Sequence, residues 1–382
     1  MHSKRVPDVC SGLFLHECGS GAVRNLLEFI KETQTVWERM ATAGKPIVLY
    51  GMGDGADKIM NVCREKKIPI AGIFASDEYV RGHSFRGYPV LTYLQARERF
   101  GDFLAVMAFA VDYDAMFQRV QEISQDVELV IPHVPLFNDL LFEPAFLRTH
   151  ETELLWAYGQ LADELSRRVF ADMLNFKISG KLKYLWQSTT ERLEDCRELL
   201  QLGSHEAYVD LGAYRGDTVQ EFLLLTNGKY EKILAVEPDK KSFQKLKLFA
   251  DEMGLKNIRL ENKGIWECSD TLSFNNRAGR NSCLSVNGWV NITVDSLDHL
   301  LQGEKATLIK MDVEGAEKQA LRGAKQTISR YRPKLFVSAY HYDKDLFELP
   351  KIIKEICPQY RFYLRRHPYI PAWEINYFAI PE

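Results

Sequence analysis

Acids gathered at the ends of short apolar runs are the residues of this chain best placed to do chemistry. The run Tyr208-Val209-Asp210 breaks into Leu211-Gly212-Ala213-Tyr214-Arg215-Gly216-Asp217-Thr218, so Asp210 and Asp217 flank a glycine-bearing turn. Ala235-Val236 ends in Glu237-Pro238-Asp239, where Pro238 stops the strand by removing a donor. Leu308-Ile309-Lys310-Met311 ends in Asp312, with Glu314, Gly315 and Glu317 close behind. His341 follows another apolar run, Leu335 to Ala339.

The spacing Asp210-x-Gly212-x-x-x-Gly216 is not that of a dinucleotide loop, which must present bare amides to a pyrophosphate. Carboxylates repel phosphate and favour a cation. S-adenosylmethionine, with a sulfonium and an ammonium but no phosphate, suits such a loop. Gly212 and Gly216 are expected to let the backbone approach the ligand closely. Glu237, at the tip of the next strand, is placed to accept both hydroxyls of a ribose. Asp312 is expected to face the space between cofactor and acceptor. Glu314 and Glu317 suit acceptor hydroxyls or a divalent metal through hard oxygen ligands, although Glu317 also suits the first turn of a helix, where an acid complements the dipole. His341 is the first choice for a general base and Asp312 the second, acting alone or through a metal. Arg365, His367, Trp373 and Glu374 are candidates for an acceptor rim, and Arg280, Asn281 and Ser282 for a flap.

The elements that must carry these residues read as an α/β fold. Strands are expected at 207–211, 232–236, 258–261, 307–311 and 334–338, separated mostly by helical sequence, hence a mainly parallel sheet. A β-ribbon is expected over 271–294 and a terminal antiparallel hairpin from 361–365 and 375–380. Residues 203–382 form this C-terminal Rossmann-like domain. Upstream, residues 44–149 read as a second Rossmann-like α/β domain that opens on Pro46 to Tyr50 and the turn Gly51-Met52-Gly53-Asp54-Gly55-Ala56. Gly51-x-Gly53-x-x-Ala56, with Asp77 downstream, fits a dinucleotide fingerprint, so an NAD(P)- or nucleotide-sugar-dependent enzyme centred there is the alternative. Asp54 beside the phosphates argues for a vestigial scaffold instead. Residues 150–202 read as a helical connector, first as a linker, with capping of the second domain or a homodimer surface as alternatives. Residues 1–43 read as an N-terminal helical segment.

Composition narrows the class. The chain has 382 residues, 46% hydrophobic and 26% charged, with a net charge of −3. A nucleic-acid partner needs a basic stripe, and none is expected here. No apolar run approaches a membrane span, and Met1 to Leu15 lacks the apolar core of a signal peptide. The seven cysteines form no CxxC pair, which predicts reduced thiols and a cytoplasmic protein.

Asp210-Leu-Gly-Ala-x-x-Gly-Asp-Thr218, Val236-Glu-Pro-Asp239 and Lys310-x-Asp-Val-Glu-Gly-Ala-Glu317, followed by Ala320-Leu-x-Gly-Ala324, resemble the FkbM family of methyltransferases. Tyr340-His341, Asp345-Leu346, Leu349-Pro350 and Tyr360-x-Phe-Tyr-Leu-Arg365 fit as well. The resemblance covers about residues 205–380. It implies S-adenosylmethionine-dependent O-methyl transfer, commonly to sugar or polyketide hydroxyls, with a small-molecule or glycan acceptor. Members with an extra N-terminal domain are often linked to surface-glycan synthesis. The resemblance carries cofactor binding onto Asp210, Gly212, Gly216, Asp217, Thr218 and Glu237, and places Asn262 to Ile265, including Gly264, beside the adenine.

Overall fold

A computed structural model describes residues 27–137, 141–275, 283–284 and 290–382. Its first sheet contains β1 (Ile47–Tyr50), β2 (Gly72–Phe74), β3 (Ser84–Phe85), β4 (Tyr88–Leu91), β5 (Leu104–Met107) and β6 (Leu129–Val130), in the spatial order β3-β4-β2-β1-β5-β6. All neighbours pair in parallel except β3 with β4. β1 and β5 are buried at every residue, as expected of parallel strands covered on both faces.

The second sheet contains β7 (Ala207–Leu211), β8 (Lys232–Val236) and β9 (Ile258–Glu261). A small separate sheet follows, from β10 (Gly264–Ile265), β11 (Asp270–Asn275), β12 (Cys283–Leu284) and β13 (Val290–Asp295). The chain then returns to the second sheet with β14 (Leu308–Met311), β15 (Lys334–Ser338), β16 (Tyr360–Arg366) and β17 (Ile375–Pro381). The order is β16-β17-β15-β14-β7-β8-β9. β17 runs antiparallel to both its neighbours, and the other pairs are parallel. The expected ribbon is thus present as the antiparallel pair β11 and β13. Arg280, Asn281 and Ser282 lie outside the described residues. So does most of the expected N-terminal helical segment. Its described part holds one short helix, Val36–Ala41, closed by a capping box between Thr35 and Glu38.

The stretch from 150 to 202 is not a linker. Its helix Glu164–Ser179 buries Val169, Phe170, Met173, Leu174, Phe176 and Ile178. One apolar cluster runs from Tyr50 and Phe74 of the first sheet, through Phe170 and Met173, to Ile309 and Leu335 of the second. The same stretch covers an edge of each sheet. Beside β6, the Ile131 amide donates to the Gly180 carbonyl (2.8 Å). Beside β16, the Ala162 amide donates to Phe362 (2.8 Å) and the Thr190 amide to Arg366 (2.9 Å). Open edges invite unwanted pairing, and here they are satisfied from within the chain.

A buried ion pair fixes the three parts together. Lys177, on the long helix and almost fully buried, lies 2.6 Å from Asp343, which also bonds His133 at 2.9 Å. Burial raises the Asp343 carboxyl, but Lys177 and His133 outweigh it and hold it well below the usual carboxylate range. Lys177→Met strands that carboxylate with one neutral-prone partner. We expect a loss of about 3 kcal/mol in denaturant unfolding, largely recovered in the double variant Lys177→Met/Asp343→Leu. A single variant as stable as the parent would show the pair to be dispensable.

Candidate active site

The carboxyl ends of β7, β8 and β14 open into a cleft of about 1400 Å³. One wall includes Gly212, Tyr214, Asp217, Thr218, Glu237 and Pro238, with Gly264, Ile265 and Ile292 at the far end. This is the position that open α/β sheets reserve for ligands.

Glu237 lies at the floor of this end. It is 7% exposed, and its two oxygens accept the backbone amides of Tyr214 and Asp239, each at 2.8 Å. The Asn262 amide group donates to the carbonyls of Glu237 (2.8 Å) and Pro238 (3.1 Å), which locks the strand tip. Burial pushes the Glu237 carboxyl up to about 7, against those two amides. Its folded-state pKa therefore exceeds the ordinary value, the folded chain holds this proton where the unfolded chain has lost it, and stability falls as pH rises toward about 7. A ligand whose hydroxyls donate to the ionised carboxylate binds in the opposite sense. Affinity for such a ligand is expected to rise about tenfold between pH 6 and 8, and Glu237→Gln to flatten that profile in titration calorimetry.

Asp210 does not reach the cleft. It is fully buried inside β7, in register with Lys310 of β14. Thr218 Oγ1 donates to Asp210 Oδ2 at 2.5 Å, and Lys310 Nζ lies 3.3 Å from Oδ1 while donating to the Gly212 carbonyl at 2.8 Å. Asp210 thus shapes the turn from beneath. The two turn glycines have a different reason from ligand approach. A Cβ on Gly212 (φ +83°) would lie 1.8 Å from the Asp312 carbonyl oxygen, and one on Gly216 (φ +98°) would lie 2.4 Å from the Phe249 ring. The close approach they permit is to the neighbouring strand tip and to a packed helix.

At the β14 tip, Asp312, Val313, Glu314 and Tyr340 line the cleft. Behind them sits His341, its side chain without exposed surface. Its Nε2 lies 3.6 Å from Asp312 and 3.5 Å from Glu314, and its Nδ1 lies 3.1 Å from Glu317. Burial favours the neutral ring, but Glu317, Glu314 and Asp312 prevail and hold the imidazole protonated well above the usual histidine range. With no exposed surface, His341 stands behind the residues that line the cleft and not among them, unlike the position expected for a general base. Asp312 is the member of the pair that meets the cleft, with Tyr340 Oη donating to it at 3.4 Å. Glu317 is buried, and its Oε1 accepts the amides of Val313 (2.9 Å) and, more weakly, Gly315 (3.4 Å). It closes the turn and does not line the cleft. Glu314 does, from a left-handed backbone (φ +53°) that turns it out of the strand.

Arg365 is also corrected. It is 3% exposed and bonds Asp163, Asp195 and Ser166, because β16 turns that face toward the connector. His367, Trp373 and Glu374 do line the cleft. The opposite wall comes from the first sheet, through Asp112, Asp114, Phe117 and Leu136, none of which the sequence singled out. It is held by a two-bond bridge in which Val111 and Ile370 exchange amides at 2.7 and 2.9 Å. At the other glycine turn, a Cβ on Gly51 would meet Phe109 at 2.3 Å and one on Gly55 the Ala108 carbonyl at 2.2 Å. Packing accounts for Gly55, packing and a left-handed φ (+104°) for Gly51, and a left-handed φ (+97°) in open space for Gly53. Lys310 was also missed, although a lysine within Leu308-Ile309-Lys310-Met311 is a readable signal of a buried partner.

A seven-stranded sheet with an antiparallel terminal hairpin, and a cleft at its carboxyl ends, is the sheet plan of Rossmann-like methyltransferases. Residues 210–370 match the family model of the methyltransferase FkbM domain. Among solved structures, methyltransferase FkbM from Methylobacillus flagellatus KT superposes with a TM-score of 0.72 at 22% identity, over 91% of this chain and 94% of that one. The shared fold therefore takes in the first sheet as well as the second. An rRNA methylase from Streptococcus thermophilus (TM-score 0.34, 14% identity, 50% of this chain and 93% of that one) matches over a smaller share. So does precorrin-6y C5,15-methyltransferase from Geobacter metallireducens GS-15 (0.33, 10%, 51% and 94%). No curated protein matches the chain. Among the described residues, no helix is long and apolar enough to cross a membrane.

Proposed function

We propose that the chain is an S-adenosylmethionine-dependent O-methyltransferase that acts on a hydroxyl of a sugar, glycan or glycosylated metabolite. The observation that carries this reading is Glu237, a buried carboxyl at the tip of β8 that lines the cleft together with Asp217. A carboxylate at that strand tip suits the two hydroxyls of a ribose, and Asp217 beside it suits a cationic head. Bound there, S-adenosylmethionine supplies an electrophilic methyl group.

The chain's own residues then do the rest. Glu237 takes the ribose hydroxyls, and Ile265 and Ile292 offer an apolar face to the base. Asp217 and Thr218 border the cationic end. Asp312 borders the space beyond and is placed to orient an acceptor hydroxyl. Holding reactants in line recovers roughly 7–11 kcal/mol of barrier, which makes positioning the main task of the protein. The rim of Tyr369, Trp373 and Phe117, with Asp112, Asp114 and Glu374 among them, pairs aromatic faces with hydroxyl acceptors, a combination suited to a sugar.

Titration of the full chain with S-adenosylhomocysteine tests the reading, and saturable binding is expected. Absence of binding, with protection in a melting assay by NAD or a UDP-sugar instead, would overturn it in favour of an enzyme centred on Gly51 to Ala56.

A further inference from the structure

The acids behind the cleft outnumber the cations available to them. Around the buried His341 ring stand Asp312, Glu314 and Glu317, and the buried Asp345 follows at the start of the next helix, where it accepts the Tyr342 amide. The surrounding lysines are engaged elsewhere: Lys318 with Glu348, Lys177 with Asp343, and Lys310 with Asp210 and the Gly212 carbonyl. Gathering this many carboxylates in low dielectric is costly unless a cation or protons neutralise them.

The polar atoms of the cluster are also unfinished. Neither ring nitrogen of His341 has a hydrogen-bond partner in good geometry, although both lie close to carboxylates. Glu317 Oε1 is held by the Val313 amide, while its Oε2, fully buried, has no partner. One donor atom each from Asp312, Glu317 and His341 lies within 4.8 Å of the other two. Donors on opposite corners of an ion with bonds of about 2.1 Å stand roughly 4.2 Å apart, so small side-chain adjustments close the set. Glu314 stands at its cleft side.

We propose that Asp312, Glu317 and His341, with Glu314 on the open side, form a binding site for a divalent first-row transition metal. The ion takes the place of a ring proton, which is released to solvent on binding, and the imidazole nitrogen among hard oxygens favours Mn²⁺, Fe²⁺ or Zn²⁺ over Mg²⁺ or Ca²⁺. The site opens to the cleft through Asp312 and Glu314. On the methyltransferase reading, which this role rests on, an acceptor hydroxyl oxygen joins as a further ligand and its pKa falls. Its O–H bond breaks, the proton passes to water in the open cleft, and the electron pair stays on the oxygen as the nucleophile.

The test uses the full chain, stripped with EDTA and titrated with Mn²⁺ while the free-ion electron paramagnetic resonance signal is read. We expect stoichiometric binding, competition by Zn²⁺ but not by equal Mg²⁺, and nitrogen modulation in the spin echo of the bound ion. His341→Gln should remove that modulation and weaken binding by at least about tenfold. If that variant does not fold, Glu314→Gln, at a half-exposed position, should still weaken Mn²⁺ measurably. No binding at millimolar Mn²⁺, bound Mn²⁺ without nitrogen modulation, or Mg²⁺ competing equally would overturn the proposal. Because the titration contains no S-adenosylhomocysteine, the two readings fail separately: a chain that binds the nucleoside but not Mn²⁺ sinks only the metal site, and the reverse sinks only the methyl-transfer reading.

Discussion

Gly212→Ala is expected to abolish S-adenosylhomocysteine binding and to cost at least about 3 kcal/mol of stability. The new methyl group would meet the Asp312 carbonyl oxygen at 1.8 Å and its carbon at 2.9 Å. Both are backbone atoms, so no rotamer change relieves the clash, and the tips of β7 and β14 must separate. The left-handed φ of +83° adds strain for any side chain, of about 1–2 kcal/mol. Gly44→Ala is the matched control. It shares a positive φ (+67°) but would meet nothing within 4 Å, so it should show the strain alone. Denaturant midpoints for the two variants separate the contributions. Equal losses would show that the strand tips are not so tightly apposed.

Glu237→Ala should weaken S-adenosylhomocysteine by about 100-fold or more in titration calorimetry. Two hydroxyl donors to a buried carboxylate contribute about 1.5–3 kcal/mol each, less than additively because one side chain serves both. The alanine also frees the amides of Tyr214 and Asp239, so part of the loss comes from a loosened loop. Glu237→Gln separates the effects. It keeps one acceptor and the side-chain volume but not the charge, and should bind between the two with little pH dependence. Wild-type affinity in Glu237→Ala would remove the basis of the proposed function.

The sequence and the structure agree where information is local. Each strand of the second sheet is an apolar run bounded by turn residues, and its acids stand at the run's end, so position along the chain already specifies the strand tip. The same locality made the antiparallel hairpin from Tyr360 and the ribbon from Asp270 legible. Residues whose role depends on what lies opposite were read less well. Arg365 sits on the face of β16 that meets Asp163 and Asp195, some 200 and 170 positions away, and nothing near it in the chain says which face that is. His341 follows its strand as expected, but three carboxylates converge on it only in the fold.

By itself, then, the sequence determined the two α/β sheets, the glycine turn after β7 and the acids at the tips of β8 and β14, because hydrophobic period and turn chemistry act within a few residues. The tertiary structure alone decided that residues 150–202 contribute to the core, that the part of the chain around the first sheet supplies a wall of the cleft through Asp112, Phe117 and Leu136, and that His341 lies behind Asp312 rather than on the cleft. Those outcomes depend on docking between surfaces far apart in the chain, where burial, charge and hydrogen bonding are settled jointly by both partners.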